Sequence, residues 1–545
     1  MVKGYVALVL HAHLPYVRHP EHENHLEERW LFEAISETYL PLIYSFERLI
    51  SEGIDFRVNM SLTPSLLTML TDPLLQERYI LYLQKLIELT QKELERTASQ
   101  PKFNRLAKMY NEKYKNDLTI FNEKYHRNIV TVFKSLQKSG YLEIMACAAT
   151  HGFLPLMSVT PQAIHAQITV GVNSYKKHLG CQPKGIWLPE CGYTPEVELA
   201  LKENGIEYFI TESHGVLYAN PRPVFGTYMP IVTPNGLVAF GRDMESSKQV
   251  WSCTDGYPGD SDYREYYRDI GYDLDYDYIK GYISSLGHRI NTGIKYYRIT
   301  GQTERKEPYN PDWAKNKAEI HAGNFLINRE KQILHLRYKM DRPPIIVCPY
   351  DAELFGHWWY EGPYWLYALL KKVRQDQNTF KLATLHEYLM DYPMMQISRP
   401  CPSTWGHMGY NEVWLNTCND WIYRLLHKSI EMMIELANEN NYSQGIKEEA
   451  LNQAARELLL AQSSDWAFIM KTGTMVQYAE KRTNDHLNRF TRLYHDIKED
   501  NIDIEWLRDI EYKDNIFPEI DFRVYSQVNI MNKVDKCITP IQINS

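Results

Sequence analysis

The sequence predicts a barrel-type α/β fold of parallel strands, with one helical insertion and a helical C-terminal region. Seven short apolar or alternating runs, each ending in polar residues, are spaced by segments long enough to hold crossover helices. Their C-terminal ends repeatedly deliver ionisable side chains, as the functional rim of a parallel barrel does. Two further stretches switch to helical periodicity with no strand signal.

In chain order, Tyr5–Leu10 leads to His11 and His13, and the end of Phe56–Leu62 delivers Ser61 and Thr63. Leu142–Ala148 leads to His151, Gly185–Leu188 to Glu190, and Tyr208–Thr211 to Glu212 and His214. Leu237–Phe240 then delivers Arg242 and Asp243, and Ile345–Cys348 delivers Asp351. Between the second and third runs, residues 72–139 are rich in Lys, Glu, Leu and Tyr and read as a helical insertion. Helices are predicted again at Trp421–Ala437, Ile446–Gln462 and Thr483–Ile497. The expected organisation is therefore a barrel over 1–71 and 140–400, an insertion over 72–139, and a helical domain over 401–545, which the family resemblance drawn below implies contributes to the active site. The segment Gly256–Tyr297 is dense in Tyr and Asp and poor in aliphatics, so it reads equally as a long loop over the barrel rim or as an ordinary surface excursion.

A chain of 545 residues exceeds what one hydrophobic core supports, so two or three packed units are expected. The net charge of -8 arises from intermixed acids and bases with no basic stripe, which argues against a nucleic-acid partner. The 40 tyrosines and 12 tryptophans supply flat amphipathic rings that suit sugar surfaces as well as cores. Eight cysteines (Cys147, Cys181, Cys191, Cys253, Cys348, Cys401, Cys418 and Cys537) show no CxxC spacing and read as buried free thiols of a reducing, cytoplasmic compartment. The first ten residues read as a strand and not as a signal peptide, and no apolar run approaches the ~20 residues of a membrane helix.

Two strand ends carry candidate chemistry. Gly185-Ile-Trp-Leu-Pro-Glu190-Cys-Gly-Tyr193 and Ile345-Ile-Val-Cys-Pro-Tyr-Asp351-Ala-Glu353 each place a carboxylate beside aromatic residues. Such a pair fits glycoside hydrolysis, where one acid protonates the leaving oxygen while the other attacks or activates water. A strand-end carboxylate also serves as a helix cap or an arginine partner. His11-Ala-His13 is equally compatible with a metal shell completed by His151, Asp351 or His357, with hydrogen bonding to sugar hydroxyls, and with a structural role.

His11-Ala-His-Leu-Pro15, His151-Gly-Phe-Leu-Pro155, Trp187-Leu-Pro-Glu-Cys-Gly-Tyr193, Tyr350-Asp-Ala-Glu-Leu-Phe-Gly-His-Trp-Trp359 and Ser463-Ser-Asp-Trp466 resemble, in this order, the five signature regions of glycoside hydrolase family 57. The resemblance spans nearly the whole chain and lies nearest the 1,4-α-glucan branching enzymes and their α-amylase-like relatives. It implies an incomplete seven-stranded β/α barrel and a retaining double displacement, with Glu190 as nucleophile and Asp351 as general acid/base, their carboxyl groups about 5–5.5 Å apart. It implies further that His11, His13 and His151 bind sugar hydroxyls, so that no metal or other cofactor is expected.

The same resemblance assigns glucan stacking to Trp30, Trp251, Trp405 and Trp414, and substrate contact to Arg242, Gly259 and Asp465. The partner it implies is an α-glucan of amylose, starch or glycogen type, in keeping with glycogen biosynthesis. Efficient branching in this family is associated with a flexible tyrosine-bearing loop near the strand that here ends at Glu212. The corresponding stretch, His214 to Leu237, contains Tyr218 and Tyr228 but is compact, which keeps α-amylase as the close alternative. A metal-dependent carbohydrate deacetylase built on the HxH pair and a non-catalytic glucan-binding protein are the more distant ones.

Overall fold

A computed structural model of the chain describes residues 2–23, 25–252, 256–283 and 287–526. These fold into two compact units: one takes the described residues of Met1–Met60, Met69–Ile144 and Asp243–Pro393, the other those of Ser61–Thr68, Met145–Arg242 and Met394–Ser545.

The sheet of the first unit is built on β1 (Gly4–Ala12), with β2 (Val58–Leu62) and β8 (Ile345–Asp351) as neighbours and the short β9 (Phe380–Leu382) pairing with β1 in parallel. Apart from Tyr5, every residue of β1 is buried, so its side chains are covered on both faces, which is why the run is continuously apolar instead of alternating. β8 lies at the end of the strand order, where Pro349, which has no N–H to give a ladder, is tolerated. The β1–β8 register runs from Tyr5↔Ile345 to His11↔Asp351, so β8 continues three residues past the predicted Cys348 and brings Asp351 level with His11.

The insertion forms helices Pro73–Arg96, Pro101–Thr119 and Val130–Lys138. The first starts cleanly because Asp72 accepts from the Leu75 N–H at 3.0 Å and Pro73 occupies the opening turn, where a missing N–H costs nothing. The tyrosine-rich stretch after Gly256 packs on these helices: Tyr278 and Tyr296 both donate to Glu93 at 2.8 Å, and the Tyr110 hydroxyl donates to the Lys295 carbonyl at 2.9 Å. Its described residues include the short helices Ile270–Asp273 and Tyr276–Ile279.

In the second unit the order is β6-β7-β5-β4-β3, with β3 (Leu142–Cys147), β4 (Gly185–Trp187), β5 (Tyr208–Thr211) and β7 (Val238–Gly241) pairing in parallel and β6 (Ile231–Val232) antiparallel to β7. Helices Trp421–Glu439, Ile446–Ala461, Ser464–Thr472 and Val476–Lys498 follow, and a buried cluster of Phe153, Trp414, Ile422, Leu426 and Trp466 holds them to the segment after β3. All seven predicted strands are present, and the fold class is the expected one: the incomplete seven-stranded β/α barrel with added helices. The sequence reading omitted β6 and β9. Among the described residues, no helix is long and apolar enough to cross a membrane.

The reading of the cysteines needs correction. Cys147, Cys191 and Cys348 are buried, but Cys181 and Cys418 are exposed and Cys401 is half-buried, because they sit in turns and loops and not in strands. Cys253 and Cys537 lie outside the described residues.

Candidate active site

In the second unit, β4 ends in a tight turn that sets the position of Glu190. The N–H of Cys191 returns to the Leu188 carbonyl at 2.9 Å and that of Gly192 to the Pro189 carbonyl at 2.9 Å. This turn forces Glu190 and Cys191 into the left-handed region, at φ 61° and 51°, and His151 after β3 is there too, at φ 57°. Non-glycine residues held there cost about 1–3 kcal/mol each and persist only where surrounding bonds fix them.

Those bonds are visible. The indole N–H of Trp405 donates to Glu190 Oε2 at 2.7 Å, and the Trp405 backbone N–H donates to the Glu190 carbonyl at 3.0 Å. Ser464 Oγ donates to Glu190 Oε1 at 3.0 Å and lies 2.8 Å from His151 Nδ1, while the Ser464 N–H donates to the His151 carbonyl at 3.1 Å. Both carboxylate oxygens therefore act as acceptors, the state an ionised glutamate offers. Trp405 is itself fixed: the Trp187 ring meets it edge-on at 5.0 Å and the Arg242 guanidinium lies 5.7 Å from its ring. Arg242 is held in turn by Glu212 at 3.0 Å.

In the first unit, half-buried Asp351 closes β8 and opens a short 3-10 turn, Ala352–Leu354. Beside it on β1, His11 is buried and its ring stacks 5.9 Å from that of His13. Burial, with the neighbouring His13 adding to it, holds the His11 imidazole well below the usual histidine range, so His11 is neutral. The His13 N–H and the Tyr39 hydroxyl both donate to Glu353 Oε1, at 3.2 and 2.6 Å, and burial pushes the Glu353 carboxyl up. Further along the turn, His357 Nδ1 lies 2.7 Å from Glu37 Oε2.

The residues singled out by sequence fall as follows. Glu190, His151, Arg242, Trp405 and Asp465 are drawn together in the second unit, Asp465 half-buried and accepting from Ser463 Oγ at 2.5 Å. His11, His13 and Asp351 are neighbours in the first unit, where Trp30 and Gly259 are half-buried and Trp251 is 42% exposed at the end of helix Met244–Trp251. Trp414 corrects its expectation: at 1% exposure, stacked on Phe153 at 4.3 Å, it has no ring face left for a sugar and is core packing. Sequence reasoning missed Ser464, although its motif was noted, and it could not see that Trp405 binds the Glu190 carboxylate.

The profile of glycosyl hydrolase family 57 matches residues 7–340, and that of the 1,4-alpha-glucan branching enzyme C-terminal region matches 425–525. The chain is 32% identical to the 1,4-alpha-glucan branching enzyme TK1436 of Thermococcus kodakarensis, over 97% of this chain and 79% of that protein. Among solved structures, it resembles the alpha-amylase AmyC of Thermotoga maritima at 49% identity and a TM-score of 0.90, covering 96% of this chain and 99% of that one. The GH57-type branching enzyme of Pyrococcus horikoshii is similar at 32% identity and a TM-score of 0.86, covering 96% and 97%.

Proposed function

Because the chain belongs to glycosyl hydrolase family 57, we propose that it is a 1,4-α-glucan branching enzyme that works by retaining double displacement. A Glu190 oxygen attacks the anomeric carbon of an α-1,4 linkage. The bond from that carbon to the departing 4-oxygen breaks, and Asp351 gives that oxygen its proton. The 6-hydroxyl of an acceptor chain then attacks the glycosyl ester, its proton passes to Asp351, and Glu190 leaves as carboxylate.

The observation that carries the reading is the double hydrogen bonding of Glu190 by Trp405 and Ser464 at a strained strand end, which suits a preoriented ionised nucleophile. His151, behind Ser464, is read as a positioning residue. The similarity of residues 425–525 to the C-terminal region of branching enzymes supports transfer over hydrolysis.

A second reading, α-amylase, is favoured by two observations. The identity to AmyC is 49%, and the stretch after Glu212 is packed down, with β6 paired to β7 and Asn220 bridged to Arg399. Both readings share the glycosyl-enzyme and differ in whether a sugar hydroxyl or water attacks it. The same proposal places the enzyme in glycogen synthesis in a reducing, cytoplasmic compartment, in keeping with cysteines that show no CxxC spacing.

The glycosyl-enzyme tests the shared step. Asp351→Asn incubated with 5-fluoro-α-glucosyl fluoride should accumulate an adduct on the peptide that carries Glu190, read by mass spectrometry. An adduct on another residue removes Glu190 from the role.

A further inference from the structure

We infer that Trp358, seven residues after Asp351, is an additional glucose-binding platform for the α-glucan chain; this rests on the glucan reading above. Trp358 is 55% exposed, yet its ring and backbone are held by several contacts. One face of its indole stacks on Tyr266, with ring centres 4.7 Å apart and planes inclined by 28°. The Tyr266 ring is also met by the Lys295 ammonium, 4.8 Å from the ring centre, and buried Lys295 is paired with fully buried Asp269 at 3.7 Å. The His357 ring meets the indole edge-on at 5.2 Å and is itself anchored on Glu37.

The backbone is equally constrained. The Trp358 N–H donates to the Glu353 carbonyl at 3.2 Å and the Trp359 N–H to the Leu354 carbonyl at 2.8 Å, which ties the platform to the turn that starts at Asp351. Gly356 sits at φ +115°, and a Cβ there would lie 1.7 Å from the Glu37 carbonyl oxygen, so only glycine fits. An exposed tryptophan held this rigidly loses little conformational entropy when a ligand covers its free face. The flat indole, flanked by the His357 ring and by Tyr266, whose hydroxyl lies 3.4 Å from His357 Nε2, matches the apolar face and hydroxyl edge of a sugar ring. Its attachment to the turn that starts at Asp351 suits further glucose units of the same chain.

The test is amylose binding by affinity electrophoresis in a Glu190→Gln background, where nothing is turned over. Adding Trp358→Ala should weaken binding roughly tenfold, and Trp358→Phe should recover most of it. Equal binding with and without Trp358→Ala, in variants with unchanged melting temperatures, overturns the platform and leaves the glucan reading standing. Absence of amylose binding in the Glu190→Gln parent overturns the glucan reading and the platform with it.

Discussion

The indole N–H of Trp405 donates to Oε2 of Glu190 at 2.7 Å, so a residue 215 positions away in sequence holds one oxygen of the proposed nucleophile. Replacing the ring while keeping its bulk isolates that bond. Trp405→Phe should lower kcat roughly 10- to 100-fold, the effect of losing a hydrogen bond to a charged group worth about 1.5–3 kcal/mol. A kcat within twofold of wild type on amylose would show that the bond does not serve catalysis.

Trp414 should behave in the opposite way. It is buried against Phe153, Ile422 and Leu426, so Trp414→Ala opens a cavity and should cost about 3–5 kcal/mol of stability in denaturant unfolding. Unfolding unchanged by the substitution, together with lost activity, would return Trp414 to the glucan site.

Ser464 links His151 to Glu190, at 2.8 and 3.0 Å. Ser464→Ala should reduce kcat roughly tenfold with little change in melting temperature, because one oriented donor to the carboxylate is lost. Ser464→Thr, which keeps the hydroxyl, should retain more activity than Ser464→Ala; the reverse order contradicts a hydrogen-bonding role.

The Glu37–His357 pair sets a pH dependence. Burial alone would push His357 down, but the bond and charge of Glu37 overcome it and raise the imidazole above its ordinary 6.5; Glu37, despite burial, is held below its ordinary 4.5 by His357. The raised histidine contributes stability that is full below 6.5 and lost as pH rises through the raised value, and the lowered carboxyl contributes stability that is full above 4.5 and lost as pH falls through the lowered value. The difference in melting temperature between wild type and His357→Gln should therefore be largest between about pH 4.5 and 6.5 and shrink as the pH rises above that window. A difference that does not vary with pH would mean that the pair is not ionic.

Much of the fold was legible because buried parallel strands need unbroken apolar runs, as in β1 and β8, and because their ends carry the polar residues. β6 and β9 leave no such signal, because β6 is only two residues long and the middle residue of β9, Lys381, is charged and exposed. Glu190 was legible from its motif, but the left-handed backbone beneath it was not, since that conformation is imposed by the turn and by Trp405 and Ser464 from distant sequence. The family resemblance marked both tryptophans as sugar-facing without distinguishing Trp405, half-buried on the carboxylate, from Trp414, sealed under Phe153. Trp358 escaped notice because exposure and stacking are properties of the folded turn.

The two carboxylates provide a joint test of mechanism. Glu190→Gln and Asp351→Asn should each lower turnover on the order of 10³-fold or more while the protein remains folded by circular dichroism, because the amides keep shape and lose the nucleophile or the proton. Activity within a few-fold of wild type, after exclusion of deamidation, removes that residue from its role.

The central claim, that the glycosyl-enzyme is passed to a sugar hydroxyl and not to water, is tested most directly by incubating the wild-type protein with amylose and counting both products. Transfer to a 6-hydroxyl consumes the cleaved chain without freeing a reducing end. The account therefore predicts α-1,6 linkages, released as new chains by a debranching enzyme, well in excess of new reducing ends. Reducing ends that accumulate with no α-1,6 linkages would contradict branching and establish hydrolysis.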